Sequence, residues 1–351
     1  MEIYDLSKIR ELYPPLKLPE TSPSENLPER YIPRDRRPEQ RLVERPAYGE
    51  DSHRGFTDKH LSIALGSFDG VHTGHAVLLR TAIEDAEKHG RLSAVWTFTN
   101  RPTDLPGKAG ARALTSLEEK LAIFESYDID VAILAKFEDV HDIPADIFAT
   151  EILMTELGVD AVICGANFTF GKGRRGTPGV LAKYFGDNAI MVESVMADGL
   201  PVSSTKIRSL LTSGNAEKAN ELLGYPYFLE STVLHGKQLG RTIGIPTINQ
   251  KFPEEKLTPK YGIYASIVTI DGHHYMGVTN IGTNPTVNSS DDVTCETHII
   301  GGYDADLYGK VVRVSFLKLL RDEKKFPNVT ALKNQINLDA IEAQKYIRSR
   351  N

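Results

Sequence analysis

Cysteine is scarce in this chain of 351 residues. There are two, Cys164 and Cys295, and neither has metal-ligand spacing. That excludes a disulfide framework and leaves two reduced core thiols, as expected of a cytoplasmic protein. Excess positive charge is also missing: 41 Lys and Arg face 47 Asp and Glu, for a net charge of -6. The chain as a whole is therefore not built for nucleic acid, and local clusters must hold any anionic ligand. No apolar run reaches the roughly 20 residues of a membrane span. The opening Met1–Pro15 is charged and has no signal-peptide apolar core, so no membrane association is expected. There is no internal repeat. No serine, cysteine or lysine is set up as a covalent nucleophile.

What is present divides into three textures. Eight of the 19 prolines fall before residue 50, among many charges, as in Asn26–Pro38. Residues 1–57 read as an irregular extension. Residues 58–223 alternate strands with helices: strands at Leu61–Leu65, Leu92–Thr99, Asp130–Phe137, Asp160–Gly165 and Ala189–Glu193. Leu79, Ala82, Ile83 and Ala86 recur at helical spacing up to Gly90, Ile147–Leu157 reads as a further helix, and Thr115 with Glu118 makes a capping box. Such alternation implies a parallel sheet covered on both faces. Residues 224–351 change to strands joined by Gly, Pro, Asn and Asp turns, at Tyr227–Leu234, Tyr261–Ile270, His274–Ile281, Thr294–Ile300 and Val311–Leu319. That reads as an antiparallel sheet or small barrel. A closing helix spans Val329–Arg348, with Leu332, Ile336, Ile341 and Tyr346 among its apolar residues.

The segment Gly66–His75 (GSFDGVHTGH) joins the first strand to the first helix. Ligands of open parallel sheets bind beyond the carboxyl ends of the strands, and a helix N-terminus there favours anions. His72 and His75 share one side of the first turn and can donate to a triphosphate; Gly70 and Gly74 let the backbone come close. The competing readings are two incidental histidines or a metal pair, and the latter has no third ligand nearby. Val202–Arg208 (VSSTKIR) opens another helix, with Ser203 or Ser204 as its cap and Arg208 about one turn on, able to fork onto the same phosphates. Gly165–Gly176 (GANFTFGKGRRG) offers the Asn167 amide. In it Phe168 and Phe170 either flank a flat ring or pack in the core. Lys172, Arg174 and Arg175 either attract an anionic substrate or form a solvated loop. The chemistry this suggests is in-line attack of a bound phosphate on an ATP α-phosphate, driven by positioning and charge stabilisation.

In the last third, Gly236, Gly240 and Gly244 recur every four residues between two strands, as in a loop wrapped round a phosphate chain. The segment lacks the Gly-Lys-Ser/Thr ending of a P-loop. Thr247 and Asn249 supply hard oxygens suited to Mg2+. Glu296 shares a strand face with Thr294 and His298. It is either a base facing a cleft or a solvent-facing strand residue.

These motifs together resemble the prokaryotic bifunctional riboflavin kinase/FAD synthetase family. Gly66–His75, Gly165–Gly171 and Ser203–Arg208 look like the three motifs of its FMN adenylyltransferase module, a member of the HxGH nucleotidyltransferase group. Gly244–Asn249, Tyr261–Ala265, Asn280–Thr286, Glu296–His298, Asp306–Lys310 and Leu320–Phe326 resemble, in order, its riboflavin kinase module. The likeness covers about residues 60–350. It implies a Rossmann-like domain followed by a six-stranded barrel with the final helix against it. It implies that His72, His75, Ser204, Thr205 and Arg208 contact ATP phosphates, that Gly66, Phe68, Gly70, Gly74 and Ser203 also belong to that ATP site, and that Asn167 sits at the reacting end. It implies that Thr247 and Asn249 bind Mg–ATP and that Glu296 is the base for the ribityl hydroxyl. Riboflavin, FMN and ATP are the expected small-molecule partners. The chain departs from the family where Ser67 replaces a frequent Asn, Ala76 a frequent Gln, and Phe98–Pro102 (FTNRP) the run Phe-Glu-Pro-His-Pro. Those changes leave two alternatives: a kinase with a weak adenylyltransferase domain, or a flavin-binding regulator.

Overall fold

A computed structural model describes residues 60–99, 112–236, 240, 244–283, 293–303 and 305–350. The extension 1–57 and most of the departing Phe98–Pro102 segment lie outside them. The described residues form two compact units, one of 60–99 and 115–203, the other of 112–114 and 204–350.

In the first unit, β1 (Leu61–Leu65), β2 (Leu92–Phe98), β3 (Val131–Ala135), β4 (Val159–Gly165) and β5 (Ala189–Val192) form a parallel sheet in the order β3-β2-β1-β4-β5. All five residues of β1 are buried, because both faces of the sheet are covered. Leu61, Ile63 and Leu65 pack with Trp96 and Ile133 beneath the helical stretch Phe148–Glu156. Ala64 on the opposite face packs with Leu79 and Ala82 of α1 (Thr73–His89) and Phe124 of α2 (Leu117–Ser126). Each large side chain buried in this way contributes about 1.5–3 kcal/mol. Asp85 of α1 accepts from Ser62 of β1 at 2.5 Å and from Arg91 at 3.0 Å, which locks the helix onto the strand that feeds it. Gly90, left-handed at φ 66°, ends α1. A short helix α3 (Pro178–Phe185) covers β4 and β5, and β6 (Met196–Ala197) and β7 (Leu200–Pro201) make a small hairpin.

The capping box falls one residue later than the sequence suggests. Ser116 caps α2 and Glu119 answers it, because the Thr115 hydroxyl accepts instead from Gly70 N at 3.1 Å.

The second unit begins with α4 (Ser204–Ser213) and α5 (Ala216–Leu223). Asn220 of α5 donates to Phe316 O at 2.8 Å and accepts from Tyr227 N at 2.8 Å. The strands β8 (Phe228–Thr232), β9 (Ile248–Lys251), β10 (Gly262–Ile270), β11 (His273–Thr283), β12 (Val293–Ile299) and β13 (Val311–Arg321) form an antiparallel sheet ordered β8-β13-β10-β11-β12-β9. A bond from Leu234 N to Asn249 O, 2.7 Å, brings its two ends together, so the sheet is a nearly closed barrel. The strand β9 was not among those read from sequence. The final helix α6 (Val329–Arg348) buries Ala343 and Ile347 against Ala265, Ile267, Val278 and Leu317. Arg321 grips the buried Asp339 with two bonds, of 2.9 and 2.6 Å. Ile341, expected among the apolar residues of this helix, is 62% exposed, one position off the packed stripe.

Candidate active sites

The order β3-β2-β1-β4-β5 reverses direction between β1 and β4, so the crevice of this sheet opens beside their carboxyl ends. The turn after β1 carries Gly66–His75, and the turn after β4 carries Asn167, which is exposed. His72 is the N-cap of α1, and its Nδ1 accepts from His75 N at 3.3 Å. An accepting Nδ1 puts the proton of the neutral ring on Nε2, leaving that N–H as a donor. The two imidazoles stack at 3.7 Å and 12°, and Phe68 lies 5.0 Å from His75 on the far side. His75 Nδ1 is buried with no partner among the described residues. Burial lowers the His72 pKa to about 4, against a smaller opposing pull from Asp69. Burial, then His72, then Lys120 push that of His75 well below its usual value. Held below their ordinary values, both rings are neutral at neutral pH, and each keeps one N–H that can donate.

The glycines of this turn serve mainly its shape. Gly70 has φ 81°, and its N–H is bonded to Thr115. A Cβ on Gly74 would crowd the His72 ring at 3.2 Å, and one on Gly66 the Phe68 ring at 3.0 Å. Phe68 itself has φ 51° and is fully buried, edge-on to Phe124 at 5.4 Å. Expected among the ATP contacts, its ring belongs to the core beneath the turn and supports the histidines from below. Phe170 is core as well, against Phe148 at 5.4 Å and Phe168 at 5.7 Å. Lys172, Arg174 and Arg175 are exposed.

Sequence reasoning missed Lys120. It is buried on α2, and its Nζ donates to Ser67 O at 3.1 Å, Thr97 Oγ1 at 3.2 Å and Phe98 O at 3.4 Å. A buried ammonium needs such compensation. It ties the ends of β1 and β2 together beneath the histidine turn and keeps positive charge there. The available signal was a lysine at a core-facing position between Leu117 and Phe124.

The third motif straddles the division between the units: Ser203 closes the first, and Ser204, Thr205 and Arg208 lie on α4 in the second. Arg208 Nε donates to Arg112 O at 2.8 Å.

In the barrel, Glu296 stands opposite Asn249 of β9 on one side and opposite Asn280 of β11 on the other. Directly opposed residues of antiparallel strands share a face, so the three form one polar row. The alternation along β12 is as expected: Thr294, Glu296 and His298 are half-buried while Cys295, Thr297 and Ile299 are buried. Cys295 and Cys164 are core thiols, pushed up by burial to about 12 and about 11. Gly236 and Gly240 have specific reasons. A Cβ on Gly236 would strike the Asn249 side chain, whose Nδ2 lies 2.6 Å away, and one on Gly240 would strike Ile245 O. Gly244 is left-handed at φ 74°. Asn249 Nδ2 donates to Thr247 O at 3.4 Å. The intervening residues 237–239 and 241–243 lie outside the described set.

Two family models match, FAD synthetase over residues 56–206 and riboflavin kinase over residues 223–347. The bifunctional riboflavin kinase/FMN adenylyltransferase of Bacillus subtilis is 34% identical over 81% of this chain and 92% of its own length. Its counterpart of the same name in Escherichia coli K12 is 33% identical over 81% of this chain and 92% of its own length. The chain belongs to this bifunctional family. Among solved structures, a Streptococcus pneumoniae protein titled as a macrolide-efflux protein matches with a TM-score of 0.73 and 28% identity, covering 83% of this chain and 97% of that one. The family shares the fold order seen here, a parallel sheet with helices followed by the barrel and its helix. Among the described residues, no helix is long and apolar enough to cross a membrane.

Proposed function

We propose that this chain phosphorylates riboflavin to FMN in its C-terminal domain and adenylylates FMN to FAD in its N-terminal domain, with ATP as the donor in both. The observation that carries this reading is that each matched stretch holds its own phosphate-handling constellation. Residues 56–206 contain the stacked His72 and His75 at a helix start, and residues 223–347 contain Asn249 and Glu296 in one row. The functional domains are assigned to 58–223 and 224–351.

In the first reaction the terminal hydroxyl of the ribityl chain attacks the γ-phosphorus of ATP and its proton passes to Glu296. The bond from that phosphorus to the β-phosphate oxygen breaks and ADP leaves. Thr247 and Asn249 present a hydroxyl and an amide, the hard donors that Mg2+ shares with phosphate oxygens. The Asn249 side chain lies where a Cβ on Gly236 would stand, and Thr247 Oγ1 lies 3.4 Å from where one on Gly240 would stand; these two residues would hold Mg2+, which would neutralise phosphate charge. In the second reaction the FMN phosphate attacks the α-phosphorus of ATP and pyrophosphate leaves. Nε2–H of His72 and the ring of His75 stabilise the charge on the transferred group. Asn167, Ser203, Ser204, Thr205 and Arg208 are assigned to this reaction on the resemblance of their motifs. We place the enzyme in the cytoplasm.

The test is a product assay. The chain is incubated with riboflavin, ATP and Mg2+, in parallel with a reaction started from FMN. FMN followed by FAD in the first, and FAD in the second, is the expected result. FMN that accumulates unchanged in both would leave a kinase alone. Ligand binding with no ATP consumed would leave a flavin-binding regulator.

A further inference from the structure

The polar row in the barrel contains a group that the chemistry above does not use. Asn280 lies directly opposite Glu296, with the carboxylate between it and Asn249. Its Oδ1 is buried, and no donor among the described residues reaches it. An orphaned buried carbonyl is unfavourable unless a ligand completes it. Two residues further along the same face, Gly282 has no side chain, and the carboxylate of Glu323 fills that space: a Cβ on Gly282 would lie 2.8 Å from Glu323 Oε2. This face of β11 therefore presents an amide oxygen and a carboxylate next to the Glu296 carboxylate. A ligand that answers a run of acceptors must carry donors at intervals along a chain, as a polyol does.

We propose that Asn280 positions the phosphate acceptor: its Oδ1 accepts a hydrogen bond from a non-terminal hydroxyl of the ribityl chain and so holds the terminal hydroxyl against Glu296. This rests on the kinase reading above. Its consequence is specificity for a hydroxylated side chain rather than for the flavin ring alone.

The experiment is a cycle between protein and substrate. Asn280→Leu keeps the size of the side chain and removes the acceptor. Steady-state kinase kinetics are measured for the native chain and the variant with riboflavin and with deoxy analogues, each lacking one non-terminal ribityl hydroxyl. With riboflavin, Asn280→Leu is expected to lower kcat/KM roughly 10- to 100-fold while the KM for ATP stays the same. With one of the analogues the penalty shrinks to about twofold or less, because the partner hydroxyl is already gone. Asn280→Ser, which restores an oxygen, recovers part of the loss. A penalty that is the same for every analogue, one confined to the KM for ATP, or none at all would overturn the role of Asn280. A general folding defect would lower all substrates alike and so cannot imitate the expected pattern. No phosphorylation of riboflavin by the native chain would overturn the kinase reading itself, which the first column of the same data reveals separately.

Discussion

His72 and His75 sit where a charged imidazole is costly. Burial is the main cause for both, and it lowers the pKa of His72 to about 4 and that of His75 well below its usual value. In the unfolded chain both titrate near 6.5. Between those values the unfolded chain binds more protons than the folded one, so stability falls as the pH drops from about 6.5 towards 4 and is fully present above that window. His75 Nδ1 also has no partner among the described residues, as the proposed phosphate-binding role of the pair requires. His75→Asn is therefore expected to flatten the acid limb of a pH series of urea unfolding midpoints for this domain. Identical limbs for the native chain and the variant would show that the rings are not held neutral.

At the scale of elements, the strand–turn–helix around His72 depends on Lys120 from a third element. Lys120→Met keeps the length and loses three hydrogen bonds to groups around the ends of β1 and β2. It is expected to cost about 1–3 kcal/mol of stability, by analogy with other buried polar groups left unpaired. FAD formation from FMN should slow while FMN formation from riboflavin is unchanged, read in one assay of both products. Equal loss of both would contradict a local role. The barrel has its own such support in Gly236. Gly236→Ala would drive a methyl into Asn249, so the KM for ATP in the kinase reaction should rise by at least about fivefold. An unchanged KM would mean that Asn249 does not handle nucleotide. Most elements were legible: five barrel strands read from the Gly, Pro, Asn and Asp turns between them, and the strands of the parallel sheet read from their alternation with helices. What failed was settled by tertiary contacts. Thr115 with Glu118 and Ser116 with Glu119 fit the same capping spacing, and the choice falls to Gly70, which occupies the Thr115 hydroxyl. The four residues of β9 are too few to show alternation after a Gly- and Pro-containing loop. Lys120 stands at a core-facing helical position, yet its acceptors come from β1 and β2, far away in sequence, so its role could not be read from the helix alone. Asn280 stood in a recognised motif, yet only the register of β11 against β12 sets it beside Glu296.

At the scale of the molecule, the texture of the sequence changes near Gly224, whereas the compact unit begins at Ser204 because α4 and α5 pack with the barrel strands. A helix surface does not announce which unit it will cover. The residues assigned to the two reactions nevertheless divide cleanly in chemistry: an imidazole pair at a helix start for one, a carboxylate flanked by two amides for the other. On the proposed reading, the second constellation takes no part in holding FMN phosphate against ATP. Glu296→Gln keeps the size and the hydrogen-bonding reach of the side chain but removes the proton acceptor, so its effect should fall on chemistry rather than on folding. It is expected to lower FMN formation by at least about 100-fold while FAD formation from supplied FMN continues at the native rate. From riboflavin, neither product should then appear, because the second reaction is starved of its substrate; adding FMN to that same reaction should restore FAD. If added FMN fails to restore it, the two reactions share Glu296 and are not separate. If FMN still forms at the native rate, another group takes the proton and the polar row is not the kinase centre.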